Sequence, residues 1–256
     1  MPNALRHLFV GWNEVAGKLR SAPAIALFLD FDGTLSPLRP RPDDVRLSGS
    51  MRSTVSTLAR QAHVRVWVIS GRRRADVRDR IRVAGIRYLG LHGSEARHSI
   101  PIKSETRRYL EGLKTRARQI VKNTPETWLE DKGTVLTIHY ARASACDISR
   151  IRQEMTRAIL PLHGLFRGIP GERGFELVPA EVGDKGTAVR RELAFASPAT
   201  LPVFVGDDAV DEPAFAALAG GLTIRVGRPR PSSARFRLDD VKQVQTFLER
   251  LIKEVQ

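Results

Sequence analysis

Four short stretches of this sequence carry side chains that can do chemistry. The first is Asp30-Phe31-Asp32-Gly33-Thr34. It sets two carboxylates one residue apart, then a glycine that permits a sharp turn and a hydroxyl that can donate to an anion. Like charges so close resist joint ionisation, and a shared proton or a divalent cation removes that cost. Alone, the pair would suit a solvated acidic turn. It is not alone. Ser70-Gly71-Arg72 offers a hydroxyl, a flexible backbone and a cation, and Lys185-Gly186 offers an ammonium. Gly206-Asp207-Asp208, followed by Asp211-Glu212, offers further carboxylates. Hard carboxylate oxygens suit Mg²⁺, which keeps waters and binds substrate phosphate. Together these are the groups that phosphoryl transfer through a carboxylate nucleophile requires.

The elements around these stretches explain how they meet. AIALFLDF, from Ala24, is a continuous apolar run of the kind buried in parallel sheets, and it ends at the first carboxylate pair. Val64 to Ile69 is a second such run, ending at Ser70, and LPVFVGDD at 201–208 is a third. Helical spacing between them, over 48–62 and 73–83, with a short strand at 88–91, predicts βαβ units and a parallel sheet. Ligands of such sheets collect beyond the carboxyl ends of the strands. After about residue 100 the pattern changes. A helical stripe at 104–121 precedes strands at 128–130 and 135–140 around Asp131-Lys132-Gly133. A second stripe (Ile148, Ile151, Met155, Ile159) precedes a hairpin at 165–169 and 175–178 around Pro170-Gly171. The parallel style then returns, with helices at 187–196 and 211–219 flanking the third run, a strand at 222–226 and a final amphipathic helix capped by Asp239 or Asp240. Residues 1–22 are expected to be an amphipathic helix. The fold class is α/β, a Rossmann-like parallel-sheet core with an inserted α+β cap domain. The core takes residues 1–100 and 180–256, and the insert 101–179.

Composition narrows the classes. The chain has 256 residues, 42% of them hydrophobic, enough to fill a core. No stretch approaches the ~20 apolar residues of a spanning helix. The single cysteine, Cys146, excludes an intramolecular disulfide and any multi-cysteine metal site. These features predict a soluble, cytoplasmic protein with no membrane partner, and they are compatible with a monomer. Lys+Arg total 42 against 28 Asp+Glu, a formal charge of +14. Such a balance favours acidic partners. The arginines are scattered, though, and aromatics make up only 6% without interleaving the Arg72-Arg73-Arg74 group. The stacking platform of a single-strand binder is missing, so no nucleic acid is expected. His92 and His139 lack a second histidine at metal spacing and read as structural or substrate-adjacent, while Trp128 and Tyr140 read as packing residues of the insert.

The set DFDGT, a serine at the second strand end, a later lysine and GDD resembles the haloacid dehalogenase superfamily of Mg²⁺-dependent phosphatases, over about residues 24–252. LFLDFDGTLSPL, HGSE at 92–95, LEDKGTVLTIHY at 129–140, DKGTAV at 184–189 and GDDAVDEPAF at 206–215 resemble the trehalose-6-phosphate phosphatases within it. The resemblance implies a small sugar phosphate as substrate, Mg²⁺ as cofactor, and an insert that acts as a mobile cap closing on the sugar. It implies that Asp30 is the nucleophile, that Asp32 is general acid and then base, and that Ser70 binds a phosphoryl oxygen, with Gly71 and Arg72 beside it. Lys185 would pair with the nucleophile and the transferring group. Asp207 would bind Mg²⁺ beside Asp30 and the carbonyl of Asp32, with Asp208 orienting a metal-bound water. In the insert, Glu130 and Lys132 match the family's ExK pair and Glu176 a third sugar-binding carboxylate.

This sequence departs from the family at Val210, where threonine is common, and at Leu177-Val178-Pro179, where an Arg-Pro pair is usual. HGSE also lacks the alanine-rich lead. The rival substrates are mannosyl-3-phosphoglycerate and glucosylglycerol phosphate, against which the EDKG phrase argues. The rival classes are a nucleic-acid-binding protein and a catalytically silent regulatory domain; intact Asp30, Asp32, Ser70, Lys185 and Asp207 argue against the latter.

Overall fold

The computed structural model describes residues 5–39, 41–96, 101–162, 164–171 and 173–255. In chain order the elements are β1 (Arg6–His7), α1 (Trp12–Ser21), β2 (Ala24–Leu29), α2 (Gly49–Arg60), β3 (Val64–Ile69), α3 (Arg74–Ile81) and β4 (Arg87–Leu89). Then come α4 (Ser104–Lys122), β5 (Trp128–Asp131), β6 (Leu136–His139), α5 (Ala145–Ile159), β7 (Phe166–Pro170) and β8 (Gly174–Pro179). The chain ends with α6 (Lys185–Leu193), β9 (Thr200–Gly206), α7 (Glu212–Ala217), β10 (Leu222–Val226), β11 (Phe236–Leu238) and α8 (Val241–Glu254). Two compact units result: Met1–Arg97 with Asp184–Gln256, and His98–Gly183.

The first unit holds a seven-stranded sheet in the order β1-β11-β10-β9-β2-β3-β4, and every pairing in it is parallel. Its central strands β2, β3 and β9 are mostly apolar because both faces are covered. Ile25, Leu27 and Leu29 of β2 join Val64, Val66 and Val68 of β3 in one core, packed with Val15 and Leu19 of α1, Val55 of α2 and Phe247 of α8. The alternate residues Ala26, Phe28, Trp67 and Phe204 form the opposite core with Val189 of α6 and Phe215 of α7. The chain runs from β2 outward to β3 and β4, and later from β9 outward to β10 and β11. Between β2 and β9, therefore, the winding direction reverses. Doubly wound sheets open a crevice at such a switch point.

The N-terminal helix is shorter than the expected 1–22, spanning Trp12–Ser21. Helix begins at Trp12, after a turn at Leu8–Gly11, and Arg6–His7 form an edge strand paired with Phe236 and Arg237 of β11. Residues 1–4 of that expectation lie outside the described residues. The apolar spacing is genuine, since Leu8, Val15 and Leu19 are buried. A two-residue strand is set by its distant partner and leaves no period of its own. Asp240, rather than Asp239, caps α8, accepting from the Gln243 N–H.

In the second unit an antiparallel sheet runs β5-β6-β8-β7. Leu136 and Ile138 of β6 and Phe175 and Leu177 of β8 are buried, as are Leu110 and Leu113 of α4 and Ile151 and Met155 of α5. Strand residues alternate between faces. The residues between them, Glu130, Thr137, His139 and Glu176, therefore share the other face. Tyr140 is fully buried as expected, but Trp128 is not, with 44% of its surface exposed.

Candidate active site

The switch point brings three of the four chemical stretches together. Leu29 of β2 lies opposite Val205 of β9 and Val68 of β3, and the Asp30 N–H donates to the Val205 carbonyl at 2.9 Å. Asp30, Ser70 and Asp207 thus emerge at neighbouring carboxyl ends. Lys185 enters from the first turn of α6, whose cap is Asp184, accepting from the Thr187 N–H at 2.7 Å.

Lys185 is 1% exposed, and its Nζ donates to Asp30 Oδ1 at 2.6 Å and to Asp211 Oδ1 at 2.7 Å. Oxygens of Asp30, Asp207 and Asp211 lie within 4.8 Å of one another. Burial pushes the Asp30 carboxyl up to about 7, with Asp211 and Asp32 adding to the rise and Lys185 opposing it. Burial, then the charges of Asp30, Asp211 and Asp208, pushes Asp207 well above its ordinary value. Burial alone would lower Lys185; the carboxylates of Asp211 and Asp30 outweigh it and hold the ammonium above its usual range. One ammonium does not balance this carboxylate group. A bound divalent cation would, and a hard, oxygen-rich site is what it needs.

Asp211 is nevertheless a poor ligand. Its Oδ1 takes Lys185, and its Oδ2 accepts from the Asp207 and Asp208 N–H groups at 2.9 and 3.0 Å. It holds the loop and the lysine in place. This hub was not legible as such: the sequence marks Asp211 as an acid favouring a helix N-terminus. The available signal was its spacing, four residues after Asp207, which one helical turn returns to the same side. Gly206 belongs to the same arrangement, because a Cβ there would collide with the Asp211 carboxylate. Gly33 adopts φ +87°, and a Cβ on it would strike the Asp207 carboxylate. The GDD and DFDGT phrases therefore need their glycines for the closeness of their acids. Thr34 donates to Asp207 Oδ1 at 3.2 Å, and Arg225 and Arg230 donate to the Asp207 carbonyl at 2.7 and 2.8 Å. Neither arginine was singled out in the sequence.

Asp32 and Asp208 are placed differently. Both Asp32 oxygens accept from Arg72, Nε to Oδ2 and Nη2 to Oδ1, each at 2.7 Å. Arg72 also donates to Asp76 at 2.9 Å and to the Pro42 carbonyl at 2.7 Å. The arginine expected at the substrate thus holds the second carboxylate of DFDGT. Asp208 accepts from the Ala209 N–H at 2.7 Å and faces Arg230 at 3.5 Å, outside the three-carboxylate group. Ser70 is buried and its Oγ accepts from the Arg72 N–H at 3.1 Å, across Gly71. The HGSE phrase braces this corner. Glu95 accepts from the Arg74 N–H opening α3, and the His92 N–H donates to the Ser70 carbonyl at 3.0 Å.

The second unit has its own polar cluster. Glu130, Thr137 and Glu176 are register partners across β5, β6 and β8. Lys132, in the turn after β5, places Nζ 3.2 Å from Glu176 Oε1 and 3.8 Å from Glu130 Oε2. Thr137 donates to Glu176 Oε1 at 3.2 Å, and His139 Nε2 lies 2.9 Å from Glu130 Oε2. Charged and hydroxyl groups converging on one sheet face can recognise a polyhydroxylated ligand.

Residues 28–242 match the model of the trehalose-phosphatase family. Among curated proteins, a trehalose-phosphate phosphatase of Mycolicibacterium paratuberculosis is 30% identical over all of this chain and 68% of its own length. A probable trehalose-phosphate phosphatase of Oryza sativa is 29% identical over 94% of this chain and 69% of its own. Among solved structures, the C-terminal domain of Candida albicans trehalose-6-phosphate phosphatase superposes with a TM-score of 0.85 at 19% identity, covering 98% of this chain and 99% of that one.

Proposed function

Because the chain belongs to the trehalose-phosphatase family, we propose that it hydrolyses trehalose 6-phosphate to trehalose and inorganic phosphate, with Asp30 as nucleophile. The observation that carries this reading is the Asp30 carboxylate at the sheet's switch point, held by a buried lysine among further carboxylates. Lys185 occupies Asp30 Oδ1 and leaves Oδ2 to attack phosphorus. The bond to the sugar oxygen breaks as the acyl-phosphate bond forms. Asp32 supplies the proton that the leaving oxygen needs, then takes one from the water that attacks the acyl-phosphate. To do so its carboxyl must give up one of the two hydrogen bonds from Arg72. Ser70 would donate to a phosphoryl oxygen.

Mg²⁺ would be held by the carboxylates of Asp30 and Asp207 and the carbonyl of Asp32, with Asp208 acting at one remove. When bound it offsets the repulsion between nucleophile and phosphoryl oxygens. Glu130, Lys132 and Glu176 are proposed to read the sugar hydroxyls. No helix among the described residues is long and apolar enough to cross a membrane.

The test is phosphate release from a panel of sugar phosphates, with and without Mg²⁺. Trehalose 6-phosphate should be preferred, and only with the metal. Preference for mannosyl-3-phosphoglycerate or glucosylglycerol phosphate would move the assignment within the superfamily, and no turnover of any sugar phosphate would favour a silent domain.

A further inference from the structure

On the face of the second unit's sheet that carries Glu130, Thr137 and Glu176, the next row is Trp128, His139 and Gly174. The rings of Trp128 and His139 stack almost parallel, with centroids 3.7 Å apart and planes 13° from one another. Across β6 the register partner is Gly174, which adds no side chain to the row. The indole is 44% exposed, whereas Trp67 of the core is 2% exposed. An indole stacked on one neighbour and still half-exposed at the surface leaves apolar ring area available to a ligand. His139 ties this flat pair to the charged row through Glu130 Oε2 at 2.9 Å, and Lys132 continues the row to Glu176. A flat aromatic surface bordered by carboxylates, an ammonium and a hydroxyl matches a pyranose ring, which has apolar C–H faces and a polar hydroxyl edge.

We infer that the Trp128–His139 stack is a platform on which a sugar ring lies while Glu130, Lys132 and Glu176 take its hydroxyls. The inference deepens the reading of the chain as a trehalose 6-phosphate phosphatase and rests on it. It assigns to Trp128 the apolar part of sugar recognition, which the charged row cannot supply.

The test compares Trp128→Leu with Trp128→Phe. Leucine keeps apolar area and loses the flat ring; phenylalanine keeps a ring. For trehalose 6-phosphate, Trp128→Leu should lower kcat/KM about five- to tenfold, the scale of one aromatic stacking contact, and Trp128→Phe should restore most of it. An aryl phosphate carries no pyranose, so its hydrolysis should follow neither change. A second measurement needs no turnover. Trehalose should protect the exposed tryptophan emission of the wild type from acrylamide quenching, and sorbitol at the same concentration should not. Equal loss on both substrates, unchanged kinetics in Trp128→Leu, or quenching indifferent to trehalose would each overturn the platform while leaving the phosphatase reading intact. Failure of the wild type to hydrolyse trehalose 6-phosphate would remove that reading and the platform with it.

Discussion

Replacing Lys185 with methionine probes the electrostatic frame of the site. Methionine keeps the apolar stem and removes the ammonium, so the three carboxylates of Asp30, Asp207 and Asp211 lose the cation that donates to two of them at 2.6 and 2.7 Å. Removing one partner of a buried ion pair typically costs about 3–5 kcal/mol, because the remaining charge is uncompensated. For a chain of this size that lowers Tm by roughly 10 °C. The cost should depend on pH. The Asp30 carboxyl stands at about 7 in the folded protein against an ordinary 3.8. A folded-state value above the unfolded one means that the native protein binds the proton more tightly. Its contribution is present below about 4 and declines as pH rises through about 7. Without Lys185 the restraint on Asp30 and Asp207 is gone and the decline steepens. In metal-free buffer, Lys185→Met should melt close to wild type at pH 5 and far below it at pH 8. Millimolar Mg²⁺ at pH 8 should recover part of the difference. The assay is thermal unfolding followed by circular dichroism, read as variant minus wild type so that other carboxylates cancel. An equal loss at both pH values, unmoved by Mg²⁺, would show that Lys185 acts by packing and that the carboxylates are not charged neighbours.

Other outcomes follow from the same geometry. Asp32→Asn should depress hydrolysis of trehalose 6-phosphate far more than that of an aryl phosphate, whose leaving oxygen needs little protonation; equal loss would deny the acid role. Chelation should silence the enzyme and Mg²⁺ restore it, while Ca²⁺ should bind and support little turnover because its looser coordination misplaces the reacting groups. Phosphate release after dialysis against EDTA checks this. Alanine at Glu130, Lys132 or Glu176 should cut kcat/KM for trehalose 6-phosphate by about 10- to 100-fold, the scale of one charge-assisted hydrogen bond, with aryl phosphate hydrolysis nearly unchanged. Steady-state kinetics on both substrates decides it.

The strands that carry the site were legible because each is a continuous apolar run stopped by a polar group. The runs at Val64–Ile69 and Leu222–Val226 match their strands residue for residue. The hairpin after β5 was legible from its turn, where Asp131 Oδ1 accepts from the Gly133 N–H at 2.8 Å. What depended on distant partners was not. The edge strand β1 and its neighbour β11 exist because β1 pairs with β11 and β11 with β10, and neither has a pattern long enough to read. Arg72 follows Ser70 in sequence and reads as a substrate cation, yet its fork fits the Asp32 carboxylate across the β2–β3 pair. Asp211 became a hub because two backbone N–H groups and a lysine from another helix converge on it. Trp128 reads as core by type, but it opens an edge strand whose open face carries the charged row.

The role proposed for Asp30 is to take the phosphoryl group. The direct measurement is a rapid-quench single turnover with trehalose 6-phosphate labelled in its phosphate, followed by acid trapping and peptide mapping. The label should appear transiently on the peptide containing Asp30 and decay as inorganic phosphate is released. It should be absent from Asp30→Asn, which should fold and melt no lower than wild type because it relieves a crowded carboxylate. Turnover of wild-type magnitude by a folded Asp30→Asn variant, or label trapped on another residue, would exclude Asp30 as the nucleophile.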